Sequence, residues 1–407
     1  MNVLVLNTHS VLNSGDAGIV LAQIGLLREF LPGAEISLTS RTPRLDETFY
    51  EPMGIRVLPP LIPAKGIPRG IRGRGELLRA LRKCDLVLAS GGGYFWSNRR
   101  VFPGRVFFQN VLPVLRAAGL EKPIAFLPQS FGPTFSRPAR AFLSACLNGR
   151  SVARIFAREK ASFDFVKGLL GGRPNAEKVS LCPDLAFALG GPESDSAGLD
   201  PGLPRPVLAV TLRTWDFPGA GGPAAVEKMR RAYFDGMVEA ARRFIQAGNG
   251  SALVLSQVRG PWAYEDDRVI SRQFAEALGR AAGASRVRLI DPPEAALPGQ
   301  IIGILRRTDA VLATRLHSAI FALLAGRIPV VVGYQPKSAG TMDLLGLGPY
   351  CVDIAGIDPD NLTSLLEASL KEGPNGSGAL ARVAAARAEI REKIGSLLAA
   401  FAAGAQR

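Results

Sequence analysis

The stretch that decides the fold is DAVLATRLHSAIFALLAGRIPVVVGYQPKSAGTMDLLG, residues 309–346. It contains two uninterrupted apolar runs, residues 310–313 and 328–332, which are typical of strands buried on both faces of a parallel sheet. Residues 318–324 lie between them and are apolar after the first serine, as in a helix packed between layers. Residues 333–340 are polar and predict a loop. The pattern therefore predicts a βαβ unit whose strands end where open α/β sheets bind ligands.

Arg315 and His317 stand between the first of these strands and the helix. The N-terminus of a helix offers free N–H groups and positive potential, so it favours a bound anion. The chain holds only two histidines, His9 and His317, and each follows a predicted buried strand. His317 is therefore a candidate catalytic residue, although a structural histidine remains the alternative.

The totals predict the class of protein. A chain of 407 residues is too long for one ordinary core, so two domains are expected. Hydrophobic residues make up 47%, and the 45 glycines and 30 prolines are spread over many short loops, as in an α/β protein. The cysteines form no metal or redox motif, and we expect buried free thiols in a reducing cytoplasm. They are Cys84, Cys146, Cys182 and Cys351.

Two further observations bear on location. The first residues, MNVLVLN, lack a basic segment and a cleavage site, so they predict a strand rather than a signal peptide. No run of about 18 uncharged apolar residues occurs, and no membrane span is predicted. We therefore expect a cytoplasmic protein.

The chain carries 49 lysines and arginines against 35 acidic residues, a net charge of +14. This excess favours an anionic partner: nucleic acid, a membrane surface or a phosphorylated substrate. No nucleic-acid motif is visible and the basic residues are not interleaved with aromatics, so nucleic acid is not expected. Residues 65–83 hold seven basic residues and one acid, Glu76. This segment predicts peripheral contact with anionic lipid or a phosphorylated acceptor; a solvated surface is the alternative.

The order of the chain predicts two domains. Predicted strands alternate with helices up to about residue 188, and again after residue 207. Between them, residues 190–206 (GGPESDSAGLDPGLPRP) lose all periodicity and predict a linker. The expected domains are residues 1–190 and 207–378, and a final helix in 379–407 is expected to cross back.

Loops after the strands of the first domain hold its candidate site residues. One loop follows residues 2–6, a glycine run follows residues 86–89, and a polar loop follows residues 124–127. Glycines at these places allow a ligand to approach the backbone closely. The candidates for the acceptor side or the cleft are His9, Asn13, Gly15, Asp16, Gly91, Gly92, Gly93 and Gln129.

The sequence of the second domain predicts a cationic pocket. Arg213 follows the strand predicted at residues 207–212, just as Arg315 follows residues 310–313. Lys337 lies in the predicted loop after the next strand. Arginine binds carboxylate and phosphate groups bidentately, so two arginines and a lysine at one edge favour an anionic ligand.

These segments, taken in order, resemble the polysaccharide pyruvyl transferase family. The residues that carry the resemblance are Asn13-Ser14-Gly15-Asp16, Gly91-Gly92-Gly93, Gln129-Ser130-Phe131-Gly132-Pro133, Ala157-Arg158-Glu159, Pro183-Asp184, Leu212-Arg213, Thr314-Arg315-Leu316-His317 and Gly333-Tyr334-Gln335-Pro336-Lys337. The resemblance implies a GT-B-like fold, with two Rossmann-like domains facing across a cleft. It also implies transfer of pyruvate from phosphoenolpyruvate to two hydroxyls of a sugar, in exopolysaccharide or cell-envelope synthesis. Gly18 departs from the family pattern, which usually has a longer residue there.

The resemblance ties the Arg-x-His motif, and an arginine early in the second domain, to donor binding and catalysis. These positions match Arg315, His317 and Arg213. The chemistry agrees, because phosphoenolpyruvate carries a carboxylate and a phosphate, and Arg213, Arg315 and Lys337 supply the cations. Ketal formation needs a proton on C3 of the donor, and histidine, here His317, is the side chain type best suited to exchange protons near neutral pH. No metal or cofactor is expected, and the expected acceptor is a sugar of a polysaccharide or of its lipid-linked precursor.

Two other functions remain open. A GT-B-like glycosyltransferase that uses a nucleotide or polyprenyl-phosphate sugar would also need an anion pocket, and Asp291 or Glu294 could contact its ribose. A non-catalytic glycan-assembly protein is the third reading. The concentration of cations in the second domain disfavours it, because a scaffold does not need a cationic pocket.

Overall fold

The computed structural model describes residues 1–63, 71–190, 202–291, 293, 296–372 and 378–405. The chain divides into two compact units. The first comprises Met1–Val11, Asp16–Gly190 and Ala386–Arg407, and the second comprises Leu12–Gly15 and Gly191–Ala385. Four residues of the region predicted as the first domain thus belong to the second unit. The predicted linker lies outside the described residues except at its ends.

The first unit is built on a parallel sheet of eight strands in the order β3-β2-β1-β4-β6-β7-β8, with β5 beside β6. The strands are β1 (Asn2–Leu6), β2 (Glu35–Thr39), β3 (Arg56–Leu58), β4 (Leu86–Ala89), β5 (Gly92–Ser97), β6 (Ile124–Thr134), β7 (Val152–Ala157) and β8 (Val179–Leu181). The helices are α1 (Ser14–Phe30), α2 (Pro43–Tyr50), α3 (Ile71–Lys83), α4 (Arg105–Ala118), α5 (Arg137–Leu147) and α6 (Lys160–Leu170). Strands β1 and β4 are apolar and buried almost throughout, as is typical of parallel strands covered by helices on both faces.

The strand pair β5 and β6 corrects two predictions. Residues 91–93 were expected to form a loop, and the strand beginning at residue 124 was expected to end at residue 127. Instead β6 continues to Thr134 and pairs with β5. The pairing buries Phe95, whose ring lies 5.5 Å from that of Phe126 and 5.7 Å from that of Phe131. Burial of these rings outweighs the two prolines in β6, which are accommodated where the register shifts.

The second unit is a parallel sheet of six strands in the order β11-β10-β9-β12-β13-β14, the order of a dinucleotide-binding Rossmann fold. The strands are β9 (Val207–Thr211), β10 (Ser251–Leu255), β11 (Val287–Ile290), β12 (Ala310–Ala313), β13 (Pro329–Gly333) and β14 (Cys351–Asp353). The helices are α7 (Pro223–Gly248), α8 (Arg268–Ala282), α9 (Pro298–Arg306), α10 (Leu316–Leu324), α11 (Pro336–Leu344) and α12 (Pro359–Glu372). The last helix, α13 (Ala379–Ala405), begins in the second unit, and its residues from Ala386 onward belong to the first.

The βαβ unit predicted from residues 309–346 is confirmed, because β12, α10 and β13 follow one another and the strands pair. The loop predicted at 333–340 is wrong in its second half. Helix α11 begins at Pro336, the first helical position, where proline's fixed φ suits a helix and its missing N–H costs nothing. Lys337 therefore lies in the first turn of a helix.

Three cysteines, Cys84, Cys146 and Cys182, are buried free thiols, and Cys351 is a half-buried one. None of the described helices combines the length and the apolar composition that a membrane span requires.

Candidate functional site

The sheet register aligns the two sequence-predicted arginines. Thr211 at the end of β9 pairs with Ala313 at the end of β12. Arg213 and Arg315 each come two residues later, so they leave the same edge of the sheet side by side. Strand β13 lies on the other side of β12 and ends just before Tyr334. The carboxyl edge of the second sheet thus collects the cations that the sequence predicts for it.

Arg213 lies over two aromatic rings. Its guanidinium carbon is 4.2 Å from the ring centre of Tyr334 and 5.1 Å from that of Trp215. The Arg213 Nε–H donates to the carbonyl of Thr214 at 3.2 Å, and its backbone N–H donates to the Tyr233 hydroxyl at 3.4 Å. Within the part of the chain that the structure describes, no carboxylate forms a salt bridge with Arg213. Its charge is oriented by rings and remains available for an anion.

Tyr334 is the residue that the sequence reasoning missed. Burial alone would raise its pKa, but Lys337, Arg213 and Arg315 outweigh burial and lower the pKa to about 7. The Lys337 ammonium nitrogen lies 5.7 Å from the centre of the same ring. All three predicted cations therefore act on one phenol. A tyrosine directly after a buried strand and shortly before a lysine was the available signal.

Arg315 already has an anionic partner. Its Nε–H donates to one Asp267 oxygen at 2.7 Å, and a terminal N–H donates to the other at 2.6 Å. It also donates to the backbone carbonyl of Glu265 at 2.9 Å. The Asp267 side chain is 2% exposed and that of Arg315 is 11% exposed. Burial would lower the pKa of Arg315, but Asp267 outweighs burial and raises it. Arg315 is thus a fixed, partly neutralised cation.

His317 lies in the first turn of α10, half-buried, with its ring 6.4 Å from that of Phe321. Gly15 approaches it closely. A Cβ added at Gly15 would stand 2.2 Å from the His317 Nδ1 atom and 2.4 Å from Cγ. Distances this short do not occur between real side chains, so glycine at position 15 is a steric requirement of the observed imidazole position.

The segment Leu12–Gly15 is attached to the second unit by backbone and side-chain bonds. Asn13 forms an isolated antiparallel bridge with Val258. The other bonds are Arg259 N–H to the Leu12 carbonyl at 2.9 Å, and the Ser14 hydroxyl to the Gln257 carbonyl at 2.8 Å. Asn13 and Gly15, predicted for the acceptor side or the cleft, are therefore neighbours of His317.

In the first unit, some of the predicted residues come together around Tyr94. The Tyr94 hydroxyl donates to the Asp16 carboxylate at 2.5 Å, and a Cβ added at Gly92 would meet the Tyr94 ring at 2.6 Å. Burial, followed by the Asp16 charge, raises the pKa of Tyr94 well above its ordinary value. Gly92 has a φ of 131°, which favours glycine. Gly91 is packed against the carbonyl of Pro128.

The remaining candidates of the first unit have structural surroundings. Gln129 is buried within β6 and its amide donates to the Ala89 carbonyl at 3.4 Å. His9 is buried, and its carbonyl accepts from the Ser40 hydroxyl at 3.2 Å and from the backbone N–H of Arg41 at 3.3 Å. Their side chains present no exposed surface of any size to a ligand.

A buried network of ion pairs lies close to Gly93. Its residues were named above only among those that carry the resemblance to the family. Arg158 donates to Asp184 at 2.6 Å and to the Ser130 hydroxyl at 2.8 Å, and its Nε lies 3.4 Å from Glu159. Burial would lower the Arg158 pKa, but Asp184 and Glu159 outweigh burial and raise it. A Cβ at Gly93 would be 3.6 Å from the Arg158 guanidinium. This arginine is fully neutralised.

A model of the polysaccharide pyruvyl transferase family matches residues 13–336, about four fifths of the chain. The chain belongs to the polysaccharide pyruvyl transferase family. Its members are transferases that act on polysaccharide, and the matched region begins at Asn13 and ends at Pro336, so it includes every motif quoted above except Lys337.

Solved structures show the fold of this family member. It is similar to Anabaena HepE in complex with UDP and glucose, with 15% identity, a TM-score of 0.56, and coverage of 97% of this chain and all of the other. It is also similar to UDP-GlcNAc 2-epimerase from Methanocaldococcus jannaschii, with 12% identity, a TM-score of 0.57, and coverage of 93% and 97%. The two Rossmann-like units therefore have a GT-B-like fold. That their loops face one cleft stays a prediction.

Of the two acidic residues considered for a nucleotide, the structure describes only Asp291. Asp291 forms a salt bridge with Arg272 at 3.0 Å, and Glu294 lies outside the described residues. In the described part of this pyruvyl transferase family member, no group of three or more His, Cys, Asp or Glu side chains could hold a metal ion.

Proposed function

We propose that this protein transfers a pyruvyl group from phosphoenolpyruvate to two hydroxyls of a sugar, forming a cyclic ketal and releasing phosphate. The observation that carries the proposal is the group of cations around Tyr334. Arg213 lies over the ring, and Lys337 and Arg315 act on the same phenol. A donor with a carboxylate and a phosphate matches a pocket with more cations than buried carboxylates.

The cations have different roles in this proposal. Arg213 and Lys337 bind the anionic groups of the donor. Arg315 is held in one orientation by Asp267 and Glu265, so its remaining N–H groups form a preorganised contact that costs no reorganisation. Charge-assisted contacts of this kind are shorter and stronger than neutral ones.

His317 handles the proton. It donates a proton to C3 of the donor while a sugar hydroxyl attacks C2, and that hydroxyl loses its own proton. The second hydroxyl then attacks C2, loses its proton, and phosphate leaves with the bonding electrons. The imidazole is held by Gly15 on one side, which fixes the direction of Nδ1 relative to its surroundings. One group that gives and accepts protons near neutral pH serves both steps.

The acceptor is a sugar of a polysaccharide or its lipid-linked precursor, and the first unit is proposed to bind it. Asp16 and Tyr94 form a hydrogen-bonded pair beside Gly92, and carboxylate and hydroxyl groups of this kind bind sugar hydroxyls. The free thiols agree with a cytoplasmic location.

A GT-B-like glycosyltransferase is the competing proposal, because the structurally similar HepE was solved with UDP and glucose. One experiment separates the two. The protein is incubated with phosphoenolpyruvate or with a UDP-sugar, each with candidate acceptors, and released phosphate or UDP is measured together with the product mass. Phosphate release with a ketal-bearing product supports pyruvyl transfer. UDP release with a glycosylated product, or turnover of neither donor with any acceptor, contradicts it.

A further inference from the structure

One face of the first unit exposes large apolar side chains. They are Trp96 (42% exposed), Val101 (84%), Phe102 (55%), Val106 (45%) and Phe135 (60%). Isolated surface hydrophobes are normal, but a contiguous group that includes three aromatics marks an interaction site. We call these five residues the aromatic face.

The fold brings the aromatic face together from three segments. The backbone N–H of Phe135 donates to the carbonyl of Ser97 at 3.3 Å, so Phe135 lies beside the end of β5 next to Trp96. Phe102 packs on Phe108 of α4 with ring centres 5.6 Å apart. Phe108 in turn packs on Phe142 of α5, at 5.2 Å. Val106 lies in the first turn of α4, two residues before Phe108.

The same segments are strongly basic. Between Asp85 and Glu159 the chain contains one acidic residue, Glu121, against ten lysines and arginines. Five exposed arginines border the aromatic face, and none of them forms a salt bridge within the described chain. They are Arg99, Arg100, Arg105, Arg137 and Arg140.

We propose that the aromatic face with its five arginines docks on the surface of an anionic phospholipid bilayer. Apolar side chains enter the boundary between head groups and acyl chains, and the arginines pair with lipid phosphates. Tryptophan is typical of that boundary because its ring is amphipathic. A polypeptide partner would have to supply a matching acidic rim, whereas an anionic bilayer presents negative charge at every position.

Two alternatives fit the face less well. A second copy of the chain in a two-fold contact would oppose the five arginines to the same five arginines, which repel each other. A single-stranded nucleic acid would stack on the aromatics, but Val101 is the most exposed residue of the face and offers no ring for stacking.

The proposal also differs from the membrane contact predicted at residues 65–83. The described side chains of that segment include Arg79, Arg82 and Lys83, which are exposed on α3, whereas Leu77 and Leu81 of the same helix are buried. That surface offers charge without exposed large apolar groups in its described part, so it can attract a bilayer but cannot insert into it.

The test is co-sedimentation of the full chain with vesicles of phosphatidylglycerol and phosphatidylcholine, against vesicles of phosphatidylcholine alone. Binding should require the anionic lipid. Val101→Ser with Phe102→Ser should lower binding by about tenfold or more at both low and high salt, because insertion is not screened. Arg99→Gln with Arg100→Gln should lower it by about tenfold at low salt only. Arg79→Gln with Arg82→Gln is the matched charge control and should change it little.

Trp96 supplies an independent readout. Its emission should shift to shorter wavelength on binding to anionic vesicles, and Trp96→Phe should remove the shift. Thermal unfolding checks that each variant is folded. The proposal would be overturned if the protein did not bind at low salt. It would also be overturned if the Arg79 and Arg82 variant lost binding while the Val101 and Phe102 variant kept it. A dimer in sedimentation velocity that Val101→Ser with Phe102→Ser dissociates would overturn it as well. Donor turnover on a soluble acceptor is unaffected in either case, which separates this proposal from the proposed chemistry.

Discussion

The two units surround their arginines in opposite ways. Arg158 in the first unit has Asp184 and Glu159 beside it, and its side chain is 1% exposed. In the second unit Asp267 is bonded to Arg315, while Arg213 rests on aromatic rings instead of a carboxylate. The first arrangement is neutral and closed, and the second has positive charge in excess of its buried carboxylate.

The difference distinguishes a structural arginine from the arginine that we propose binds the donor. Removing water from a cation is costly, and a protein compensates by pairing it. Where pairing is incomplete in a partly buried site, an anionic ligand can complete it, as we propose for Arg213. Arg315 lies between these two cases, because Asp267 orients it and also neutralises part of its charge.

The largest expected effect is on turnover at the candidate site of the second unit. His317→Gln keeps a hydrogen-bonding group but cannot carry the proton, so turnover should fall by roughly 10²–10⁴-fold. Donor affinity should change only a few-fold, because the arginines remain. His9→Gln is the control, because the His9 side chain is buried in the first unit, so this variant should change turnover only as far as it changes the stability of the protein. Steady-state phosphate release across pH makes the measurement. Near wild-type turnover in His317→Gln, with an unchanged pH profile, would assign the proton to another residue.

Gly15→Ala tests the same imidazole without removing it. The added methyl would overlap His317, so the ring must shift by an ångström or more. A shift of that size in a catalytic group can cost about 10²-fold. We expect turnover to fall with donor affinity and thermal stability nearly unchanged. Gly25→Ala is the control, because a Cβ there meets nothing within 4 Å. Equal turnover in both variants would show that the imidazole is not held by Gly15.

The next effect is on stability of the first unit. Arg158→Met leaves Asp184 buried without its cation, which should lower the free energy of unfolding by about 3–5 kcal/mol. Arg158→Met with Asp184→Asn should recover part of the loss, because only Glu159, which also accepts hydrogen bonds from Ser130 and Ser162, then remains charged. Urea unfolding of both variants makes the comparison. If the double variant is no more stable than the single one, the ion pair is not what stabilises this region.

A smaller effect is expected on donor binding. Arg213→Ala should weaken phosphoenolpyruvate binding by roughly tenfold to a hundredfold, since one charged hydrogen-bonding partner contributes about 1.5–3 kcal/mol. Arg213→Lys keeps the charge but loses the planar fork and should recover part of the affinity. Arg315→Ala is a poorer test because it also leaves Asp267 unpaired, so its stability must be measured first. Calorimetry that gives wild-type affinity for Arg213→Ala would remove Arg213 from the site.

The sequence predicts this molecule well where local pattern decides the outcome. The apolar runs at 310–313 and 328–332 became β12 and β13, because a buried parallel strand admits little else. The end of β6 was missed, because pairing of Phe95 with Phe126 and Phe131 depends on residues about 30 positions away. Pairing of Arg315 with Asp267, 48 residues apart, was missed for the same reason. The pKa of Tyr334 depends on three loops meeting, which no local pattern contains.

The smallest expected effect is a change in the pH dependence of donor binding. Tyr334 has a pKa of about 7, below the ordinary value of about 10. Its ionised form stabilises the folded chain above pH 7, increasingly up to about pH 10, and contributes nothing below pH 7.

The pH dependence of donor binding should have the opposite sign from that of folding stability. An anion bound near Tyr334 raises the pKa of the phenol, because it opposes a second negative charge beside it. Affinity for phosphoenolpyruvate should therefore fall as pH rises above about 7, by at most about tenfold per pH unit. Tyr334→Phe keeps the ring under Arg213 and removes the ionisable hydroxyl, so it should bind the donor with little pH dependence in this range. Calorimetry from about pH 6 to about pH 9 makes the comparison, and the same slope in both proteins would mean that the phenolate does not compete with the donor for the cations.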